Sequence, residues 1–208
     1  MYNYIDHIVY AVTDLPSAIE NFTNRTGLKV TAGGKHLDKG THNALVRIGD
    51  KTYLEFIAKD PSLPVSDGGT WMGLDLIKEN KITRWSLGSN RIEDEAKIIS
   101  DFNQDLGIVK EGSRAKSDGS MLKWKMTNVL PEPEVDAVPF LLDWGLSIHP
   151  TSGLPTSCAI IDFKILTDQK VELTKVYDAL HLNLMIEQAD STRMELVLGT
   201  PKGQVTLG

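Results

Sequence analysis

Apolar residues in this chain fall into short runs separated by Gly, Pro and Asp turns, and the runs recur in one order: strand, helix, strand, strand, strand. Tyr4–Val12 is nearly continuously apolar and β-branched, broken by Asp6 and His7. Thr13 and Asp14 then supply a helix N-cap ahead of Pro16, Ala18, Ile19 and Phe22 repeat at helical spacing, and Gly27 ends the helix near Thr26. Leu28–Val30 is predicted as a short strand, with a turn at Gly33-Gly34. Asn43–Gly49 alternates as a strand, and Gly49-Asp50-Lys51 closes a hairpin into a last strand, Thr52–Ala58.

The order returns twice. Ile82–Ser89 opens a second unit, Ile92–Leu106 is its amphipathic helix ending at Gly107, and strands are predicted at Ile108–Glu111, Ser120–Thr127 and Val138–Asp143. A third unit has a strand at Cys158–Leu166, a helix at Lys170–Leu180, and strands at Leu182–Glu187, Arg193–Leu198 and Gln204–Leu207. The repeat is one of element order, not of sequence. A single such unit leaves a curved sheet face bare, and a second copy covers it, so polar groups facing inward converge in the cleft. The fold class expected is α+β: paired βαβββ units with curved, mostly antiparallel sheets and helices outside. Residues 1–152 would form one domain of two units (about 1–60 and 80–146), and 156–208 a smaller C-terminal unit.

Composition narrows the partners. With 22 basic against 28 acidic residues the net charge is −6 and no basic stripe is present, which argues against nucleic acid. No run approaches the ~20 apolar residues of a bilayer span, and no basic-then-apolar leader opens the chain. The one cysteine, Cys158, rules out an internal disulfide or a cysteine-based metal cluster and fits a reducing compartment. A cytoplasmic protein acting on a small molecule is the expectation, with a homodimer left open. There is no Gly-x-Gly-x-x-Gly, Gly-Lys-Ser/Thr or Gly-x-Ser-x-Gly motif, so nucleotide and serine-hydrolase chemistry find no support.

Candidate chemistry begins with His7 and Glu55, polar groups on otherwise apolar strands, where burial is costly unless they are paired or bound to a cation. They are metal ligands or, with Arg84 as partner, members of a salt-bridged pocket. His36, His42 and Asn43 flank a Gly-rich turn and are candidates for substrate contact, as are Arg84, Trp85 and Trp144.

The order and spacing of several short motifs resemble the vicinal oxygen chelate superfamily (glyoxalase I, extradiol dioxygenases and bleomycin-resistance proteins) and, within it, the glyoxalase-like domain family. They are Asp6-His7-Ile8-Val9-Tyr10-Ala11-Val12 with Asp14-Leu15, Tyr53-Leu54-Glu55-Phe56, Gly33-Gly34-Lys35-His36, Gly40-Thr41-His42-Asn43, and Pro139–Gly145 leading to His149-Pro150. The resemblance implies a divalent metal (Fe, Mn, Zn, Ni or Co) held by His7 and Glu55, with Asp143 and His149 completing the shell, and Glu55 doubling as the proton-transfer base. It implies a lyase, isomerase or dioxygenase acting on a molecule with adjacent oxygens. The alternative it leaves open is a metal-free pocket that binds or sequesters a small molecule. In the second unit the opening strand offers Arg84, Trp85 and Ser86 where a ligand is expected, a departure from the superfamily pattern.

Overall fold

In the computed structural model, residues 3–64, 69–115, 121–155 and 158–208 are described. The first unit comprises β1 (Tyr4–Ala11), α1 (Leu15–Thr26), β2 (Thr31–His36), β3 (Thr41–Arg47) and β4 (Tyr53–Lys59). The second comprises β5 (Lys81–Gly88), α2 (Ile92–Phe102), β6 (Val109–Ala115), β7 (Met121–Thr127) and β8 (Phe140–Asp143). Together they build one eight-stranded sheet in the order β2-β3-β4-β1-β5-β8-β7-β6, joined by the antiparallel β1–β5 pair. Within each unit the first strand runs parallel to the last, β1 beside β4 and β5 beside β8, and the other pairings are antiparallel.

Local signals explain α1. Asp14 accepts the Ser17 amide, and Gly27, at φ 74°, lets the chain turn back so that its own amide reaches the Thr23 carbonyl. Leu15, Ala18 and Phe22 point inward, and Phe22 meets Phe56 of β4 edge-on at 5.0 Å. Two local expectations change. Residues 28–30 form no strand, and Gly33-Gly34 lies inside β2 as a bulge between Ala32 and Gly34, with the turn displaced to 37–40. The physical reason is Asn43, whose side chain accepts the Gly34 amide and pulls the strand out of regular pairing. The expected start of β7 at Ser120 lies outside the described residues.

The C-terminal unit has β9 (Ala159–Thr167), α3 (Lys170–Ala179), β10 (Met185–Gln188), β11 (Arg193–Thr200) and β12 (Gly203–Leu207). It repeats the element order but not the strand order: β9 is central in β10-β9-β11-β12, whereas β1 and β5 each lie at one end of their own unit's strands. This sheet docks on the helix-bearing face of the large one. Trp85 of β5 is completely buried there, edge-on to Phe163 of β9 and Tyr177 of α3 at 5.7 Å each. Its indole N–H and the Tyr177 hydroxyl both donate to the Ala137 carbonyl, at 2.8 and 2.7 Å. No helix among the described residues is long and apolar enough to cross a membrane.

Candidate functional site

The inner face of the large sheet holds a small pocket. Strand alternation selects its walls: Asn43 and Leu45 from β3, Tyr53 and Glu55 from β4, Leu122, Trp124 and Met126 from β7, and Phe140 and Leu142 from β8. His7 enters from β1, His36 from the end of β2, Trp71 from a short 3-10 turn (Trp71–Gly73), and Trp144 and Pro150 from the segment after β8. The free space is only about 40 Å³.

A β-bulge organises the polar end. The β1–β5 register runs Ile5 against Leu87 and then His7 against Ser86, so Asp6 is an extra residue in β1. Regular alternation would send Asp6 and His7 to opposite faces, and the bulge brings their side chains together. Asp6 is fully buried and accepts three hydrogen bonds: His7 Nδ1 at 2.8 Å to Oδ1, and Trp144 Nε1 at 2.7 Å and His149 Nε2 at 2.9 Å to Oδ2. Burial alone would raise its pKa, but the hydrogen bonds from His149 and His7 hold it below the usual carboxylate range.

These contacts assign the protons. Indole nitrogen only donates, so Oδ2 is an acceptor. His149 Nδ1 accepts the Thr151 amide at 3.2 Å, which leaves the proton on Nε2 for Asp6. His7 gives its Nδ1 proton to Asp6, so its Nε2 is turned to Glu55 Oε2 at 3.6 Å. Glu55 is buried, and its other oxygen accepts from Asn43 Nδ2. The His7 ring stacks on Tyr53 at 4.7 Å and meets Phe140 edge-on at 5.2 Å. His36 is also buried, bonded to Thr41 Oγ1 at 2.9 Å and edge-on to Trp71 at 5.3 Å.

The structure brings together His7, Glu55, Asn43, His36 and Trp144, and places the five other candidates elsewhere. Asp143 is on the opposite face from Leu142, where it accepts the Gly145 amide at 2.8 Å, so strand parity keeps it out of any shell with His7. His149 spends both ring nitrogens on Asp6 and Thr151. His42 alternates with Asn43 and points to the α1 side, near Asp14. Trp85 packs under the C-terminal unit. Arg84 donates to the carbonyls of Thr83, Leu130, Glu132 and Glu134, clamping the segment before β8, and lines a separate groove of about 400 Å³ beside α2 and α3. Its pKa is lowered by burial.

Register also tests the donor set for a chelated metal. In β1 and β4, His7 is level with Tyr53, and Glu55 lies two residues on. In β5 and β8 the same places belong to Ser86, Phe140 and Leu142. The second unit therefore has a hydroxyl and two hydrocarbon side chains at these places, and Phe140 and Leu142 line the pocket. Among the described residues no group of three or more His, Cys, Asp or Glu converges as a cation site. His7, His36 and Glu55 all line the pocket, yet no three such groups among the described residues converge, so the residues present do not fit a chelate with the three protein ligands usual in catalytic sites.

Asp6, Tyr53, Trp71, Trp124, Met126, Phe140 and Leu142 are site residues not singled out from sequence. The signal for Leu122, Trp124 and Met126 was the alternation of β7. Asp6 breaks the same apolar strand as His7, but nothing in the sequence marks the bulge that turns both side chains to one side.

Comparison with known proteins agrees with this architecture. The family model described as "Glyoxalase-like domain" matches residues 5–181, through both halves of the large sheet and to just past α3. A hypothetical protein from Staphylococcus aureus is 16% identical, with a TM-score of 0.65 over 92% of this chain and 88% of its own, which shows a shared fold. Methylmalonyl-CoA epimerases are more distant. One from Streptomyces coelicolor, in complex with 2-nitronate-propionyl-CoA, is 16% identical with a TM-score of 0.43, covering 72% of this chain and all of its own. One from Mycobacterium tuberculosis is 17% identical with a TM-score of 0.39, covering 67% of this chain and 85% of its own. No curated protein sequence matches. On the family match, which spans both halves of the paired βαβββ sheet, the chain belongs to the glyoxalase-like domain family.

Proposed function

We propose that this protein binds a small organic molecule through a polar head seated at His7 and Glu55, without a chelated metal. One observation carries the reading: the places in β5 and β8 that correspond to His7 and Glu55 hold Ser86 and Leu142. What remains is the buried Glu55 carboxylate with the imidazoles of His7 and His36 in an aromatic-walled cavity, suited to a head with a donor next to a carbonyl, such as an α-hydroxyketone. The hydroxyl donates to Glu55, and the flat carbonyl group lies among Tyr53, Phe140 and Trp144.

The 3.6 Å gap between His7 Nε2 and Glu55 Oε2 favours a second reading, metal-independent isomerisation. The Glu55 carboxylate takes a proton from the carbon bearing the hydroxyl, the bare Nε2 of His7, held in that tautomer by Asp6, takes the hydroxyl proton and delivers it to the neighbouring carbonyl oxygen, and Glu55 returns its proton to the former carbonyl carbon. Solvent deuterium appearing in bound hydroxyketone would establish this reading, and unlabelled ligand would leave binding alone.

The test of the primary reading uses hydroxyacetone and metal analysis. Protein purified without chelator is expected to hold far less than one equivalent of Fe, Mn, Ni, Co or Zn, and His7→Ala should not change that content. Hydroxyacetone should perturb the emission of Trp71, Trp124 and Trp144 saturably. Glu55→Gln should weaken it about tenfold or more, because the amide N–H turned toward the ligand cannot accept the hydroxyl proton of a charge-assisted bond worth ~1.5–3 kcal/mol. Stoichiometric metal that disappears in His7→Ala would overturn the proposal.

A further inference from the structure

Charge at the polar end of the pocket is unbalanced. Two buried carboxylates serve it: Glu55 on the wall, and Asp6 bonded to His7. Among the described residues their partners are Asn43, His7, Trp144 and His149, and neither carboxylate pairs with a lysine or arginine. No described lysine or arginine lines the pocket either. The hydrogen bonds on Asp6 keep it ionised. A buried anion without a fixed cation is costly unless a cation arrives to complete the site.

The atoms that face each other narrow the choice. With its proton on Nδ1, His7 presents a bare Nε2 to Glu55 Oε2 at 3.6 Å, so two acceptors confront one another with no donor to join them. A ligand hydroxyl has one proton and serves one of the two. An ammonium group has two or three N–H bonds and serves both. The rest of the wall suits the same charge, because three of the four tryptophans in the chain, Trp71, Trp124 and Trp144, line this pocket. The indole N–H of Trp144 is spent on Asp6 and that of Trp124 on Met126 Sδ at 3.3 Å, and these two rings are 5.5 Å apart with planes tilted by 56°. What remains for a ligand is ring surface, whose quadrupole attracts a cation within ~6 Å. The free space of about 40 Å³ holds roughly three waters, which keeps a bound amine close to these rings.

We infer that the head of the ligand is cationic: a protonated primary or secondary amine beside the carbonyl, its N–H bonds shared between Glu55 and His7 and its carbon substituents against the tryptophans. The inference rests on the reading above, an organic head with a donor next to a carbonyl at His7 and Glu55, and adds the charge of that donor.

The experiment compares hydroxyacetone, aminoacetone and N-methylaminoacetone by titration calorimetry at about pH 6, where an amine beside a carbonyl is protonated. The first two share a heavy-atom skeleton and differ in a hydroxyl against an ammonium. Aminoacetone should bind about tenfold or more tightly than hydroxyacetone, and the N-methyl compound at least as tightly as aminoacetone. In Glu55→Gln the ratio of amine to alcohol affinity should fall to near one, because the amine loses its counter-charge as well as its acceptor. Trp124→Leu, which keeps apolar bulk and removes the ring, should lower the ratio about threefold. Melting temperatures check both folds, and the wild-type ratio needs no variant. Equal or weaker binding of aminoacetone to the wild type would overturn the cationic head and leave the hydroxyketone reading in place. A ratio that persists in Glu55→Gln would overturn it too, by showing that the amine is held elsewhere. If none of the three compounds binds, the head reading fails and the cationic head with it.

Discussion

Asp6→Asn is expected to cost about 3–5 kcal/mol of folding stability, a large fraction of what a domain possesses. The carboxylate accepts from His7, Trp144 and His149 at once inside a fully buried site. An amide keeps one oxygen and places N–H bonds where the other accepted, so at least one donor is left unpaired without water to replace it. The denaturation midpoint should fall with an unchanged slope. The loss should depend on acidity. Because the native site holds the Asp6 pKa below its unfolded value of about 3.9, its contribution is fully present above that pH and disappears as pH falls through the lower, native pKa. The gap between wild type and variant should therefore be constant from pH 5 to 7 and close progressively below pH 4. Asp143→Asn is the control: this carboxylate is on the other face, half-buried and turned to its own loop, and should change stability by no more than ~0.5 kcal/mol.

Removing residues 156–208 is expected to leave a chain recovered mainly as aggregate. The C-terminal unit covers Trp85, and without it the indole, together with the α1 and α2 faces that meet β12 and α3, would be exposed as one apolar surface. Trp85→Ala in the full chain is the graded version. It removes the contacts with Phe163 and Tyr177 and should cost about 3–5 kcal/mol. A soluble, monomeric truncated chain with a cooperative thermal transition would show that 156–208 is dispensable to the fold.

The placements that differ from expectation have a common cause. Element order, the α1 caps and the His7–Glu55 pair were legible because each is written locally, in turn residues and in polar breaks within apolar strands. Placing side chains across strands needs register, and register here depends on bulges. With Asp6 inserted in β1, Ser86 and not Trp85 stands opposite His7. In β8, Phe140 and Leu142 face inward, so Asp143 is one residue out of phase for a ligand. A slip of a single residue exchanges the two faces of a strand, which is why Asp143, a plausible donor in the sequence, lies on the face away from His7. The strand order of the C-terminal sheet was equally hidden, since one sequence of elements permits several pairings.

The β1–β5 seam has a consequence for how such a chain can arise. Antiparallel pairing of two like strands relates the halves by an approximate two-fold rotation, the symmetry by which two identical chains would join. A free half of about sixty residues would present β1 as an open edge, with unpaired amides and carbonyls along its length. Its simplest remedy is to pair with β1 of another copy, and such a dimer would own two equivalent pockets ends with a His7 and a Glu55 in each. In the fused chain only one half keeps those groups. The other half serves as wall, with Phe140 and Leu142 at those places, and its outward Trp85 anchors a third unit that a symmetric dimer would bind twice.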